Sequence, residues 1–390
     1  MFYNLILLSN YELQFRKGDV LMSFTLRHAI VHELLKEQYM DIDDKKKYNL
    51  RTKELDCNSP IVIKLSQELI QKYGKKYNTV TYSSFDTDKI RRGKFPDAFQ
   101  KYHSLKRKTK QEFIDLSVLV MNELATKASK IKSSSGGYIL FLDYFYDKNS
   151  YLVIAMIKQK DALTITDNLN LEELLSIDLS KIHQATRINC THYSQALASK
   201  NDDNFYLSFV SSATDGNTSS YFITALGCQK NTSASKMTKN IIDVSEAFFE
   251  NDPEIKKYTN DFKDELIKYL TYCCDKKQMA TLEQVISKAR LILDLSGFQN
   301  SNQKADELLE ILNSESVNIS AAFNVNKDQL NKMLKVKLEN DDYTLNFARK
   351  LLGTTEAHKI YFDEKKGKFG KLIFDMDEIS SNKVKEILKI

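Results

Sequence analysis

Three basic groups stand out by type and spacing: Lys75-Lys76-Tyr77, Arg91-Arg92-Gly93-Lys94 and Lys106-Arg107-Lys108-Thr109-Lys110. Cations at such short intervals, interleaved with Tyr77, Phe95 and Tyr102, suit the neutralisation of phosphates along a polyanion. Contacts of that kind bring steep salt dependence and little sequence preference. The third group lies at the start of a predicted helix. If the loop carrying the first two packs over that helix, then Lys75, Lys76, Arg91, Arg92, Lys106, Arg107, Lys108 and Lys110 share one surface as phosphate contacts. The competing reading is a solvated helix face with unconnected loop lysines. The stretch from Lys230 to Lys239 is polar and mildly basic and reads first as a joint between domains, second as a DNA contact.

Covalent chemistry finds little support. The chain contains no GxxxxGK[ST], GxGxxG, GxSxG or HExxH motif and no EF-hand loop. Asp143 on one apolar run and Ile157-Lys158-Gln159-Lys160 at the end of the next superficially resemble a metal-dependent nuclease core. Lys158 stands where the second carboxylate belongs, so that pair cannot form a two-carboxylate metal site. His28 and His32 lie four apart with no third ligand nearby, and His183 and His192 flank a strand. Five scattered cysteines (Cys57, Cys190, Cys228, Cys273 and Cys274) show no zinc spacing and read as reduced thiols. No metal, cofactor or enzymatic activity is expected.

The charge balance bounds the partner class. With 57 basic and 52 acidic residues the formal net charge is only +5, so contact with nucleic acid must come from a local patch. Eleven Gly and three Pro in 390 residues argue against long linkers. The run Leu5-Ile6-Leu7-Leu8 is too short for a signal-peptide core, and no stretch approaches the ~20 apolar residues of a membrane span. A soluble, cytoplasmic protein is the expectation. Residues 1–22 read as an over-annotated or disordered leader. Codons for Lys17-Gly18-Asp19 can spell a ribosome-binding sequence at a suitable distance before Met22, which points to Met22 as the biological start.

The elements that must position the cations follow from pattern. Gly136-Gly137-Tyr-Ile-Leu-Phe-Leu-Asp-Tyr-Phe-Tyr and Tyr151-Leu-Val-Ile-Ala-Met-Ile, joined by Asp147-Lys-Asn-Ser, read as a hairpin at the centre of a sheet. The second run lacks polar alternation, so both its faces must be covered. Further strands are expected at 24–35, 48–55, 186–191 and 205–211. Ser59-Pro60 opens a helix, residues 75–100 read as loop, and one long helix is expected from about Phe99 to Ile131. Beyond Gly227 helices are expected at 241–251, 253–276, 281–296, 302–313 and 327–338. Strands at Tyr343-Thr-Leu-Asn-Phe, His358-Lys-Ile-Tyr-Phe and Lys371-Leu-Ile-Phe-Asp follow, with a short helix at 380–389.

These patterns define an α+β protein. The N-terminal domain (23–230) carries a mostly antiparallel sheet with packed helices, and the C-terminal helical domain (231–390) is closed by a small β element. The order Gly136-Gly137-Tyr-Ile-Leu-Phe, Tyr151-Leu-Val-Ile-Ala, Asn168-Leu-Asn-Leu, Ile177-Asp-Leu-x-x-Ile182-x-x-Ala185-x-Arg187-Ile188-Asn189 and Tyr206-Leu-Ser-Phe209 resembles the bacterial nucleoid-associated proteins of about 37 kilodaltons. The resemblance is strongest over 136–227. It implies a cytoplasmic protein found with the bacterial chromosome that binds double-stranded DNA without catalysis. Where that family carries a basic, glycine-containing stretch, this chain has Ser211-Ser-Ala-Thr-Asp215-Gly216-Asn217, so the patch at 75–110 would have to compensate. Arg187 is expected to pair with a carboxylate such as Asp178. A homodimer is expected from exposed strand edges and amphipathic C-terminal helices. The alternative function is a protein-interaction subunit acting on a DNA-bound partner through a helical surface in 241–340, for instance in a phage-defence system.

Overall fold

The apolar runs either side of Asp147 and Lys148 form the hairpin at the centre of the molecule, and the other elements are layered on it. The computed structural model describes residues 6–7, 13–17, 20–43, 45–75, 78–165, 171–178, 182, 184–199, 205–211, 220–229, 234–364 and 370–390. In chain order come strands β1 (Ile6–Leu7), β2 (Leu13–Lys17), β3 (Val20–Leu34) and β4 (Tyr48–Asn49), helix α1 (Pro60–Lys72) and strand β5 (Val80–Ser83). Helices α2 (Phe95–Ser104) and α3 (Lys110–Ala128) precede strands β6 (Gly137–Tyr146), β7 (Asn149–Ile165), β8 (Leu171–Asp178) and β9 (Gln184–Asn189). Helix α4 (Cys190–Ser199), strand β10 (Leu207–Ser211) and helix α5 (Ser220–Ala225) follow. The second part holds α6 (Ala234–Glu250), α7 (Thr259–Lys276), β11 (Ala280–Thr281), α8 (Leu282–Leu295), α9 (Ser301–Leu312), β12 (Ala322–Phe323) and α10 (Lys327–Met333). It ends in β13 (Lys335–Glu339), β14 (Thr344–Ala348), β15 (Leu352–Gly353), β16 (Ile360–Glu364), β17 (Gly370–Phe374) and α11 (Glu378–Leu388).

The main sheet runs β1-β2-β3-β6-β7-β9-β10-β5, and every pairing in it is antiparallel. The fold is therefore α+β. Tyr146 pairs with Asn149 across a turn in which Asp147 takes a left-handed φ of 52°, a conformation that Asp tolerates better than most residues. Side chains on β6 alternate between the two faces. Leu140, Leu142 and Tyr144 join the core shared with α1 and α6–α9, while Ile139 and Phe141 join the core under α2, α3, α4 and α5. Strand β7 divides likewise, with Tyr151, Val153 and Ala155 on the first face and Leu152, Ile154 and Met156 on the second. Burial on both sides explains why its run shows no polar alternation.

The C-terminal helices belong to the first of these cores, because Met237, Ile241, Phe249 and Phe262 pack in one cluster with Leu69, Tyr82 and Leu142. The second part also hydrogen-bonds the sheet edge. Val80 N donates to Asn313 Oδ1 at 2.8 Å, Asn313 Nδ2 and Ala321 N each donate to Val80 O at 2.9 Å, and Tyr82 N donates to Ser320 Oγ at 3.0 Å.

Several expectations change. The single helix from Phe99 to Ile131 is two helices, because Leu105 is extended and Thr109 starts afresh with a capping box: its hydroxyl accepts from Glu112 N while Glu112 accepts from Thr109 N. Strand β5 and the first turn of α2 lie within the expected loop at 75–100. The partner of β3 at 48–55 pairs over Tyr48 and Asn49 only. The expected strand at 186–191 stops at Asn189, whose side chain accepts from His192 N in the first turn of α4. The helix expected at 327–338 ends at Met333, and Val336 lies in a strand paired with β14. Asn168 and the stretch 212–217 lie outside the described residues.

Candidate nucleic-acid interface

The third basic group occupies the turn between α2 and α3. Both helices are anchored in the second core, α2 by Phe95, Phe99 and Tyr102 and α3 by Phe113, Leu116, Val120 and Leu124. Lys106, Arg107 and Lys110 are exposed, and among the described residues none of them forms an ion pair. The positive end of the α3 dipole adds to their charge, and Glu112 in its first turn subtracts from it. Lys108 differs: its ammonium lies 5.4 Å from the centre of the Tyr102 ring, and its carbonyl lies 3.2 Å from His28 Nε2. Burial pulls the Lys108 amine below its ordinary range, and the Arg27 charge pulls the same way. Lys108 thus packs the turn against β3 and leaves its neighbours facing out.

In the other two groups Lys75, Arg91 and Arg92 are engaged by acids, while Lys94, the residue before α2, is exposed. Lys75 pairs with Glu310 and lines a cavity on the opposite face of the sheet with Tyr82, Tyr144 and Tyr151. Lys76 lies outside the described residues. Arg91 pairs with Asp86 at 3.0 Å and Asp88 at 3.6 Å. The guanidinium hydrogen bond holds the Asp86 carboxyl below the usual carboxylate range, so the pair stays ionised. Arg92 pairs with Asp97 in the first turn of α2. Arg91 and Arg92 precede α2 while Lys106–Lys110 follow it, a separation of about 15 Å for a ten-residue helix. Lys75 thus lies on the face opposite the turn, Arg91 and Arg92 carry acidic partners, and among the described residues Lys106, Arg107 and Lys110 remain without an ion pair, with Lys108 as their support.

The residues considered for catalysis are engaged elsewhere. The Asp143 carboxylate is buried, paired with Arg27 and hydrogen-bonded by the Tyr102 hydroxyl at 2.5 Å. Lys158 donates to Ser135 Oγ at 3.0 Å. His28 Nδ1 lies 2.7 Å from Glu54 Oε1, and His32 Nε2 lies 2.8 Å from Ser117 Oγ. Arg187 pairs with Glu315 at 2.7 Å, with its guanidinium 4.5 Å from the Tyr73 ring centre, while the side chain of the expected partner Asp178 lies outside the described residues. Sequence reasoning missed Glu315 because nothing in the spacing links β9 to the loop after α9.

The signature from Ile177 to Asn189 thus forms the end of β8 and all of β9, with Ile182, Ala185 and Ile188 buried and Arg187 bound to the C-terminal part. Residues 30–369 match the family model described as nucleoid-associated protein YejK. The chain belongs to this family. Relatives within it include a nucleoid-associated protein of Shewanella pealeana, 22% identical over 336 residues, covering 85% of this chain and 91% of the relative. One from Shewanella frigidimarina is 24% identical over 335 residues, covering 85% and 91%. Nucleoid-associated protein PMI0825 of Proteus mirabilis is 22% identical over 344 residues, covering 88% and 92%. The YejK-family match takes in all three basic groups and the Arg187–Glu315 pair. Among the described residues no helix is long and apolar enough to cross a membrane.

Proposed function

We propose that this protein acts in the bacterial nucleoid as a non-catalytic, low-specificity binder of double-stranded DNA, with Lys106, Arg107 and Lys110 as its phosphate contacts and Lys108 as their support. The observation that carries the reading is one exposed turn holding three cations with no acidic partner among the described residues, in a chain whose relatives are named nucleoid-associated proteins. Lys75, Arg91 and Arg92 are held by Glu310, Asp86 and Asp97 and contribute little. Each phosphate contact contributes about 0.9 to the slope of log affinity against log salt. Replacing Lys106, Arg107 and Lys110 by Gln lowers that slope by about 2.7, which is about 40-fold in the affinity ratio between ~50 and ~200 mM salt. Neutralising Lys75, Arg91 and Arg92 leaves the slope within about one of the wild type. Fluorescence anisotropy with a labelled duplex reads both, and an unchanged slope in the first variant refutes the assignment.

Self-association has its own support: α11 buries none of its residues, while Ile379, Ile387, Leu388 and Ile390 are exposed. A homodimer through this end would separate by sedimentation into monomers on Ile387→Lys. The alternative, an interaction subunit using the helical part, is favoured by exposed Tyr272, Leu291 and Leu295. Pure protein that fails to bind any duplex at low salt would move the reading to that alternative.

A further inference from the structure

On the face of the sheet opposite the basic turn lies a cavity of about 820 Å³, within the size range of small-molecule sites. Aromatic rings from four elements wall it: Tyr73 just past α1, Tyr82 on β5, Tyr144 on β6 and Tyr151 on β7. Arg187 lies among them, 4.5 Å from the Tyr73 ring centre and 5.2 Å from that of Tyr151. Phe24 on β3, Phe248 on α6, the end of α9 and the loop to Ser316 add to the lining.

Much of the polar lining is satisfied internally. Glu315 takes Arg187 at 2.7 Å through one oxygen, and Asn189 Nδ2 at 2.8 Å and the Tyr151 hydroxyl at 3.2 Å through the other. Among the described residues three buried polar atoms of the lining lack a well-aligned hydrogen-bond partner: Tyr144 Oη, which faces the Arg187 guanidinium, Arg187 Nε and Gln67 Nε2. Tyr144 is 0% exposed. Burying an unpaired polar atom is unfavourable, and native interiors rarely leave one so. Here three line a single space.

The lining also limits the chemistry of an occupant. Arg187 Nε and Gln67 Nε2 can only donate, so the occupant must offer acceptors. The guanidinium between two rings repels a cation. Lys75 and Arg187 are outnumbered by Glu307, Glu310 and Glu315, which disfavours a polyanion. The ring walls favour a flat π face.

We propose that this cavity binds an uncharged, planar heteroaromatic molecule of about nucleoside size that carries carbonyl or ring-nitrogen acceptors. The site is independent of the basic turn, which lies on the other face.

The test is isothermal titration of the full chain with adenosine, guanosine, cytidine and uridine, and with their 5′-triphosphates. Saturable one-to-one binding of at least one nucleoside is expected, with the matching triphosphate weaker. Tyr144→Phe keeps the ring and removes the hydroxyl, so affinity falls about 3- to 10-fold, the worth of one hydrogen bond, without a loss in Tm. Gln67→Leu acts in the same direction. The Lys106/Arg107/Lys110→Gln variant binds the nucleoside as the wild type does, which separates this site from the DNA interface. No binding of any of the four nucleosides overturns the proposal. So does tighter binding of the triphosphate, or unchanged affinity in both Tyr144→Phe and Gln67→Leu.

Discussion

Stability should fall steeply below neutral pH, and His32 is one identifiable cause. The ring is 2% exposed and lies between β3 and α3. Arg51 N lies 3.1 Å from Nδ1, and a backbone N–H can only donate, so Nδ1 must accept. Ser117 Oγ donates to Ile114 O at 2.7 Å and so accepts from His32 Nε2 at 2.8 Å. The neutral ring is fully satisfied, and a second proton would point at a donor. Burial accordingly lowers the His32 pKa from 6.5 to about 4. Because the folded value is depressed, the unfolded chain takes up the proton first. The stabilisation is whole above about pH 6.5 and is lost as pH falls towards about 4. At about 1.36 kcal/mol per unit, the loss is about 1.4 kcal/mol at pH 5.5 and about 3 kcal/mol at pH 4. His32→Gln offers one donor and one acceptor and does not titrate. Urea unfolding of both proteins across this range isolates the effect, since the carboxylates common to both cancel in the difference. Whatever Gln costs at pH 7, its curve should converge on the wild type as pH falls. Curves that stay parallel to within about 0.5 kcal/mol refute the reasoning.

Other perturbations test single contacts. Arg187→Met leaves the Glu315 carboxylate in its cavity without its cation and should cost about 3 kcal/mol, read by urea unfolding, with solvent at the guanidinium trimming the figure. Gly227 has φ of +64°, and a Cβ there would lie 2.0 Å from Arg92 O. Gly227→Ala should therefore lower stability by about 2 kcal/mol or more, read as a fall in Tm. Thr109→Ala removes one half of the capping box and should cost about 1 kcal/mol. Hydrogen exchange should show that loss as faster opening of the first turn of α3.

The sheet was legible where its residues carry both faces of the core. The β6–β7 hairpin and β10 follow directly from apolar runs with turn residues between them. Elements held by distant partners were not. Strand β5 has only four residues, and its outer edge is satisfied by Asn313 and Ser320, more than 200 positions away. The break between α2 and α3 was recorded in Thr109 and Glu112, a capping box lying inside a pattern that otherwise reads as one helix. The basic turn could be read as a cluster of charge, but its isolation could not. Whether Lys75, Arg91 and Arg92 are spent depends on Glu310, Asp86 and Asp97, and only the first requires the fold to be known. The buried Arg187 was legible as half of an ion pair, and its partner was not.

The seal on β5 bears on how this protein can be dissected. Truncation near residue 230 would strip away Asn313, Ser320 and Ala321, leaving the amides of Val80 and Tyr82 open to water and to any passing chain. Such an uncovered border invites pairing between molecules, and the apolar surface bared by loss of α6–α9 would compound it. Expressed alone, the first part is expected to precipitate or to form large assemblies, and adding residues 234–330 back in the same polypeptide should restore it.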